Sequence, residues 1–483
     1  MNKKHVAITI GIMCFLLTIG IVIQLNTIKE ANNTLGIGNS AENGLRDEVL
    51  KWKEKYDSTY ASLLKEQKEL ENKRTEATKN DSNSAKLEEE LKTANKLLGL
   101  TDVTGAGVII TIADNQTVTS QTLGIVVDTN SILVHSSDII QIVNELKNVG
   151  AEAISINNER IVLTTSITCD GNVVLVNGEK LGSPFVIKAI GNPEILSNLT
   201  ILGGFLDQLK SDGVQVELKK SDKINISKYN GVITSKYLTS ALRKDWWYMM
   251  DKGKLIMTIT IGLICFVLVY VMFLQFKVVE QTDLTEIEAM QEKELRESLA
   301  SWKSKYEEVN EELETTILKK QEYEDKINSN EEATELLEKE LEQANILIGK
   351  TEVKGEGVIV TLEDNEETLI TARDLVILVN ELKDAGAEAI SINEQRITNM
   401  SDIAYIGNRY ILVNSQKITS PYIVKAIGNK TYLQSALSIK NIGFIDEYTA
   451  YNKTVKLETK NNITIPKYEA NEKADKMVLK YIK

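Results

Sequence analysis

Two sets of four residues, one in each half of the chain, have types and spacing that could do chemistry. They are Asn144, Glu152, Asn157 and Arg160, and then Asn380, Glu388, Asn393 and Arg396. Each set offers a carboxylate, a guanidinium and two carboxamides, which together could hold a small polar ligand, a cation or a stretch of partner backbone. The same residues have a structural reading. Glu152 would pair with Arg160 across a strand, and Asn157 would bridge backbone groups. Agreement between the two sets does not choose between these readings, because a duplication carries over structural and functional residues alike.

Other routes to catalysis find little support. The chain has two histidines, His5 and His135, and Thr371 stands at the place of His135 in the second half, so no triad logic survives the repeat. Cys14 and Cys265 lie in apolar runs and Cys169 stands alone, so neither a metal spacing nor a disulfide framework is present. Gly105-Ala-Gly107 and Gly355-Glu-Gly357 precede predicted strands, whereas a phosphate cradle needs its glycines between a strand and a helix. A tight turn is the expected role there. Asp114 and Asp364 are expected to cap turns, and Lys188 and Lys425 to face solvent or a carboxylate. No cofactor and no metal are expected. With a formal net charge of −13 and no basic stripe, nucleic acid is not an expected partner.

The candidate residues belong to a segment that reads as mixed α and β structure. Gly107–Ala113 alternates around β-branched residues and predicts a strand. Asp138–Val149 has helical spacing and ends at Gly150. Ala153–Asn157, Asn172–Val176 and Phe185–Ile190 read as strands, Pro193–Leu209 as a second helix and Val214–Leu218 as a closing strand. The resulting order suggests an α+β domain of ferredoxin-like, split βαβ type with an added strand. The second half reads the same way from Gly357 to Ile465.

The whole chain is a tandem repeat. GAGVIITIADN (Gly105–Asn115) returns as GEGVIVTLEDN (Gly355–Asn365), and VNELKNVGAEAISINNERI (Val143–Ile161) as VNELKDAGAEAISINEQRI (Val379–Ile397). SPFVIKAIGN (Ser183–Asn192) returns as SPYIVKAIGN (Ser420–Asn429). The first copy carries about 14 extra residues near Gln116–Val134. Met249 and Met250, just before the second apolar run, fit an origin as two adjacent genes joined in one frame.

Each copy opens with an uncharged apolar run, Val6–Leu25 and Leu255–Phe276, long enough to cross a hydrocarbon core of roughly 30 Å. Lys3 and Lys4 precede the first run; Arg243, Lys244, Lys252 and Lys254 precede the second. By the positive-inside rule both N-terminal flanks are cytoplasmic. Two simple spans in one chain cannot satisfy both. The first α+β domain is expected outside the cytoplasm, and the side of the second stays open.

Between run and domain, apolar residues follow a 4-3 spacing. They are Leu295, Leu299, Trp302, Tyr306, Val309 and Leu313 in the second copy, and Leu45, Val49, Trp52, Tyr56, Leu63 and Leu70 in the first. Thr316, Lys320, Asn330 and Thr334 interrupt one seam; Glu66, Lys73, Asn80 and Ser84 interrupt the other. These are expected to be coiled coils that self-associate within the chain or between copies. The expected organisation is 1–28 anchor, 45–99 coiled coil, 103–230 α+β domain, 231–254 linker, 255–276 anchor, 284–349 coiled coil, 353–469 α+β domain and 470–483 tail.

The run NELKxxGAEAISINxxRI from Asn144 and from Asn380, the GxGVIxT strand and SP[FY]xxKAIGN together resemble a bacterial family of unknown function. Its members are often called division initiation proteins. The resemblance covers nearly all of each half. It implies an envelope protein of Gram-positive-type bacteria, found near cell-division genes and without an established activity. The tandem fusion and the insertion in copy one depart from that pattern. The leading expectation is a non-enzymatic scaffold in contact with the lipid bilayer and with envelope or division proteins. The alternative is a small-ligand or cation sensor built on the two four-residue sets.

Overall fold

The computed structural model describes residues 40–78, 82–114, 133–171, 173–200, 204–233, 235–240, 292–326, 330–406, 410–440 and 442–469. Both apolar runs, most of the inserted stretch of copy one and the tail lie outside the described residues. Among the described residues, no helix is long and apolar enough to cross a membrane. The chain divides into two units, Met1–Ser62 with Leu263–Asn310, and Leu63–Gly262 with Glu311–Lys483.

In the first unit the leading parts of helices Ser40–Thr78 and Glu292–Lys326 are paired. Val49 and Leu295 are fully buried, with Leu45, Leu299 and Trp302 against them. Trp52 meets Tyr306 edge-on at 5.4 Å between ring centres, and Trp302 meets Tyr56 at 5.3 Å. Each copy's tryptophan therefore packs on the other copy's tyrosine.

In the second unit the later parts of helices Ser40–Thr78 and Glu292–Lys326 are paired, and so are helices Ser82–Leu98 and Asn330–Leu347. Leu70, Ala77, Tyr323, Ala333 and Leu336 form one buried cluster; Leu91, Ala94, Leu98, Leu337 and Ala344 form the next. The contacts advance together along both copies, so the helices run parallel. Polar seam residues meet polar seam residues. Lys320 bonds Glu66 and also reaches Glu69 at 2.9 Å, and the hydroxyls of Ser84 and Thr334 lie 2.6 Å apart. Arg74 and Glu340 form an ion pair at 2.7 Å.

Each helical segment leads into an α+β domain. In copy one, β1 is Val103–Ala113, β2 Ala153–Ile156, β3 Glu159–Arg160, β4 Ile167–Asp170, β5 Val173–Val176, β6 Glu179–Leu181, β7 Phe185–Ile190 and β8 Gln215–Ile226. The main sheet has the order β3-β2-β7-β1-β8, and all neighbours are antiparallel. Helix Ser136–Asn148 buries Ile139, Ile142, Val143 and Leu146 against one face of this sheet. Strands β4, β5 and β6 form a separate small sheet. A two-residue strand, β9 (Thr239–Ser240), follows.

Copy two repeats the plan. There β10 is Val353–Glu363, β11 Ala389–Ile392, β12 Gln395–Ile397, β13 Ile403–Ile406, β14 Tyr410–Val413, β15 Gln416–Ile418, β16 Tyr422–Ile427 and β17 Thr454–Ile465. Its sheet order is β12-β11-β16-β10-β17, with helix Ala372–Asp384 in the place of Ser136–Asn148.

Three local expectations are corrected. The Gly105 and Gly107 pair is not a turn before the strand, because β1 begins at Val103 and passes through both glycines with a register shift between them. The bulge and the absent side chains let the neighbouring strand approach: a Cβ on Gly107 would stand 1.9 Å from the Ala189 carbonyl oxygen. The segment Pro193–Leu209 is not one helix. It forms a helical turn at Pro193–Leu196, a 3-10 turn at Ser197–Thr200 and a separate helix at Phe205–Ser211. Finally, the end of the expected linker is docked, as described below.

Candidate functional site

The eight candidate residues go to four different kinds of place in each copy. Asn144 and Asn380 lie, buried, on the helices that pack against each other between the two domains. The Asn144 carboxamide donates to the Ile403 carbonyl at 2.7 Å and accepts from the Ile403 amide at 3.0 Å. Asn380 does the same to Ile167, at 2.9 and 2.8 Å. Each domain thus uses its asparagine to satisfy the first strand of the other domain's small sheet. The arrangement is reciprocal, as in a two-fold symmetric dimer, although both halves belong to one chain.

Lys147 and Lys383 line the same interface, together with Ile140, Val143, Val376 and Val379. Burial pushes the Lys147 amine down to about 8, with nearby Asp402 opposing the shift. Burial also holds Lys383 well below the usual lysine range, and the like charge of Lys147 adds to the effect. The space between them, about 60 Å³, has room for a few waters.

Asn157 and Asn393 sit at the turns after β2 and β11 with positive φ, 45° and 43°. Asn157 accepts from the Val186 amide at 2.6 Å and donates to the Pro184 carbonyl; Asn393 makes the equivalent bonds to Ile423 and Pro421. They tie the hairpin to the neighbouring strand.

Arg160 and Arg396 are buried where the long helices enter the domains. Glycines Gly99 and Gly349 end those helices with φ of +80° and +86°, and a Cβ there would meet the arginine Cγ at 3.4 and 3.3 Å. The Arg396 guanidinium donates to the Ile346 carbonyl at 3.5 Å, at the C-terminal end of helix Asn330–Leu347. A cation at the negative end of a helix is favourable. Burial nevertheless pushes both arginines down to about 10.

The expected pairing of Glu152 with Arg160 is not made. Ser155, not Glu152, lies opposite Arg160 in the β2–β3 ladder, and the Arg160 Nε and Nη1 atoms are buried without a hydrogen-bond partner. Glu152 and Glu388 instead stand just before β2 and β11, where their backbone amides donate to Ile190 and Ile427.

Here the copies differ. In copy two, the Glu388 carboxylate accepts the backbone amides of Lys236 and Tyr237, both at 2.8 Å. Burial raises the Glu388 carboxyl, and the amides of Tyr237, Lys236 and Leu238 oppose that rise. The Tyr237 hydroxyl accepts from Asn429, and Leu238 enters a cluster with Val353, Ala389, Ile427, Ile463 and Ile465. Then β9 pairs with the start of β10, Thr239 opposite Lys354 and Ser240 opposite Val353. A segment following the first domain is therefore an added strand of the second. In copy one, Oε2 of Glu152 is buried without a hydrogen-bond partner, and burial pushes its carboxyl up to about 7. No pattern of charge or periodicity in residues 231–254 signals this docking; the repeat of Lys-Tyr pairs, at Lys228-Tyr229 and Lys236-Tyr237, is the one trace of it.

Among the described residues, no group of three or more His, Cys, Asp or Glu side chains could hold a metal ion.

Comparison with known proteins places these features in a family. The profile described as a bacterial protein of unknown function (DUF881) matches residues 90–239 and 340–478, together more than half of the chain. The UPF0749 protein YlxW of Bacillus subtilis is 36% identical over 130 residues, 27% of this chain and 54% of YlxW. This chain thus spans about half the length of that relative. The UPF0749 protein YlxX of the same organism is 25% identical over 238 residues, 48% of this chain and 94% of YlxX. A crystal structure of an uncharacterized conserved protein from Mycobacterium tuberculosis aligns with 33% of this chain and 98% of its own, at 26% identity and a TM-score of 0.25.

Proposed function

The chain belongs to the DUF881 family of bacterial proteins of unknown function, in tandem duplicate, and from that premise we propose that it is a non-enzymatic, membrane-anchored scaffold whose two copies form an internal pair. The reciprocal bonding of Asn144 to Ile403 and Asn380 to Ile167 carries this reading. Buried backbone groups of each domain are satisfied by the other, so the pair is a built interface and not a chance contact. Fusion in one chain raises the effective concentration of the partners, so the pair does not depend on protein level. On the same reading each domain is a ferredoxin-like sandwich, supported by the order β2-β7-β1-β8 with its two crossover helices. The long helices are a parallel coiled coil, supported by the matched polar seam. The surface left by the pair then serves partner proteins of the envelope or division machinery.

The reading has a consequence for the membrane. The two domains bond each other reciprocally, so both are expected on one face of the bilayer. The positive flanks before both runs support a shared orientation of the two copies. Labelling intact cells with a membrane-impermeant thiol reagent tests this, using the exposed Cys169 for domain one and Ser438→Cys for domain two. Both sites are expected to label from the same side. Labelling of Cys169 alone would put the domains on opposite faces and defeat the proposal.

A further inference from the structure

The two copies are equal in design, yet only one of the two sheet positions described above receives a strand from a described residue. The receiving position of copy two has four parts: the carboxylate of Glu388, Asn429, the apolar cluster around Val353 and Ile427, and the start of β10 beyond the end of β16. Copy one has all four. Glu152 stands for Glu388 and Asn192 for Asn429. Ala153, Ile190, Ile224 and Ile226 form the matching cluster, with Val103 only partly buried beside it. On the β7 side, pairing with β1 stops at Gly107, and Val103 and Thr104 pair only with β8 among the described residues.

The glycines record the difference. A Cβ on Gly355 would meet the Tyr237 carbonyl oxygen at 2.3 Å, whereas a Cβ on Gly105 would meet only the Ile190 side chain at 2.7 Å, with nothing else nearer than 3.9 Å. Val353 is 0% exposed under the added strand; its counterpart Val103 is not buried.

The sequence holds a matching occupant. After each closing strand comes a Lys-Tyr pair whose tyrosine amide donates to the glycine at the helix end: Tyr229 to Gly99 at 2.8 Å, Tyr468 to Gly349 at 2.7 Å. In copy one the docked segment Lys236-Tyr237-Leu238 follows. In copy two Lys480-Tyr481-Ile482 follows, in the tail. From Ile226 to Lys236 is ten residues, and from Ile465 to Lys480 is fifteen (236 − 226 and 480 − 465). The reciprocal Asn144 and Asn380 bonds relate the domains by an approximate two-fold operation. The path from β17 to copy one is therefore as long as the path from β8 to copy two, and the tail has five residues to spare.

We propose that Lys480-Tyr481-Ile482 docks on the first α+β domain of the same chain, its backbone amides donating to Glu152 and its strand extending β1 at Val103 and Thr104. Strand addition of this kind draws affinity from main-chain hydrogen bonds and specificity from alternate side-chain pockets. Each copy then holds a segment of the other, and the pair becomes an exchange of arms.

The test places a photoreactive amino acid at Ile482 in the full-length chain and maps the cross-linked peptides. Cross-links to residues 103–105, 150–153 and 190–192, in a product of single-chain size, are expected, and Glu152→Ala should reduce them at least fivefold while Glu388→Ala leaves them. A second measurement guards against misfolding of the variant. A chain ending at Asn471 retains every described residue and should bind a labelled peptide of residues 473–483, with a scrambled peptide binding at least tenfold more weakly. Cross-links elsewhere, or no loss with Glu152→Ala together with no peptide binding, would overturn the assignment. A product of two-chain size alone would overturn the same-chain occupant and give the site to a second copy.

Discussion

Arg396 shows how far a side chain's role can lie from its sequence neighbours. It is 1% exposed, among the largest fully buried side chains of the chain, and its guanidinium ends at the last turn of a helix some fifty residues earlier. Truncating it removes both a stem that packs the helix-to-domain junction and a cation at the helix terminus. Arg396→Ala is expected to lower unfolding stability by about 3 kcal/mol in urea titrations. Arg396→Met, which keeps the stem and discards a poorly satisfied buried charge, should cost clearly less. An equal loss for Met and for Ala would show that the charge, and not the packing of the stem, holds the junction. The same contrast explains what could be read in advance. The residue types were legible, because an Arg and a Glu that recur with their surroundings stand out. Their partners were not, since Glu152 and Arg160 look like a pair in one dimension. In the fold the ladder opposes Ser155 to Arg160, and the Arg160 Nε and Nη1 atoms are buried without a hydrogen-bond partner.

At the scale of elements, local pattern and long-range fit part company at the glycines. Alternation predicted the body of β1 and of β10, and helical spacing marked Ser136–Asn148 and Ala372–Asp384 to within a few residues. The bulge at Gly105–Gly107 escaped that reading because its cause is a neighbouring backbone eighty residues away, not a local turn. Its demand is severe. A Cβ on Gly107 or Gly357 would stand 1.9 Å from a carbonyl oxygen of Ala189 or Ala426, and a strand backbone cannot retreat as a flexible side-chain tip can. Gly107→Ala is therefore expected to cost more than 3 kcal/mol and to lower the melting temperature of the whole chain by well over 5 °C. Gly150→Ala is the control: it has a φ of +85° and nothing within 4 Å, so it should cost only about 1 kcal/mol. Equal costs at the two sites, measured by thermal unfolding, would mean that the bulge yields and that close strand approach is not what the glycine serves. The 4-3 spacing of the long helices was legible for a related reason. Each seam carries its own polar interruptions, and these meet in kind, Lys320 with Glu66 and Ser84 with Thr334. A register slip would leave these groups against apolar partners, so the interruptions select one alignment at some expense of stability.

For the whole molecule, the decisive surface is the one between the copies, and it carries a titration. Lys147 and Lys383 are equivalent residues that meet across the approximate two-fold relation, with Asp402 beside Lys147 and no acid at the matching position, Ser166. Both amines are held below their unfolded value of 10.5, Lys147 to about 8 by burial and Lys383 well below the usual range by burial and then by Lys147. A group whose folded pKa is depressed adds stability that is full above its unfolded pKa and is lost as pH falls through the folded one. Between about pH 8 and 10.5 the unfolded chain binds more protons, so stability should rise with pH across that window. The Lys147 shift alone corresponds to at most about 3 kcal/mol. Burial raises the Asp402 carboxyl, and its own backbone amide and Lys147 oppose that rise. Lys383→Met removes one of two like charges and keeps the stem, so at pH 7 it should raise the melting temperature and flatten its climb toward pH 10. In the reciprocal experiment, the Asn144→Ala and Asn380→Ala double substitution leaves four buried backbone groups of the small sheets without partners. It should cost several kcal/mol and lower the melting temperature at every pH. If Lys383→Met leaves the pH slope of the parent unchanged while the asparagine substitutions destabilise, the copies pair as described but the lysines reach solvent. If neither change matters, the internal pair is not what holds the two domains in one folded unit.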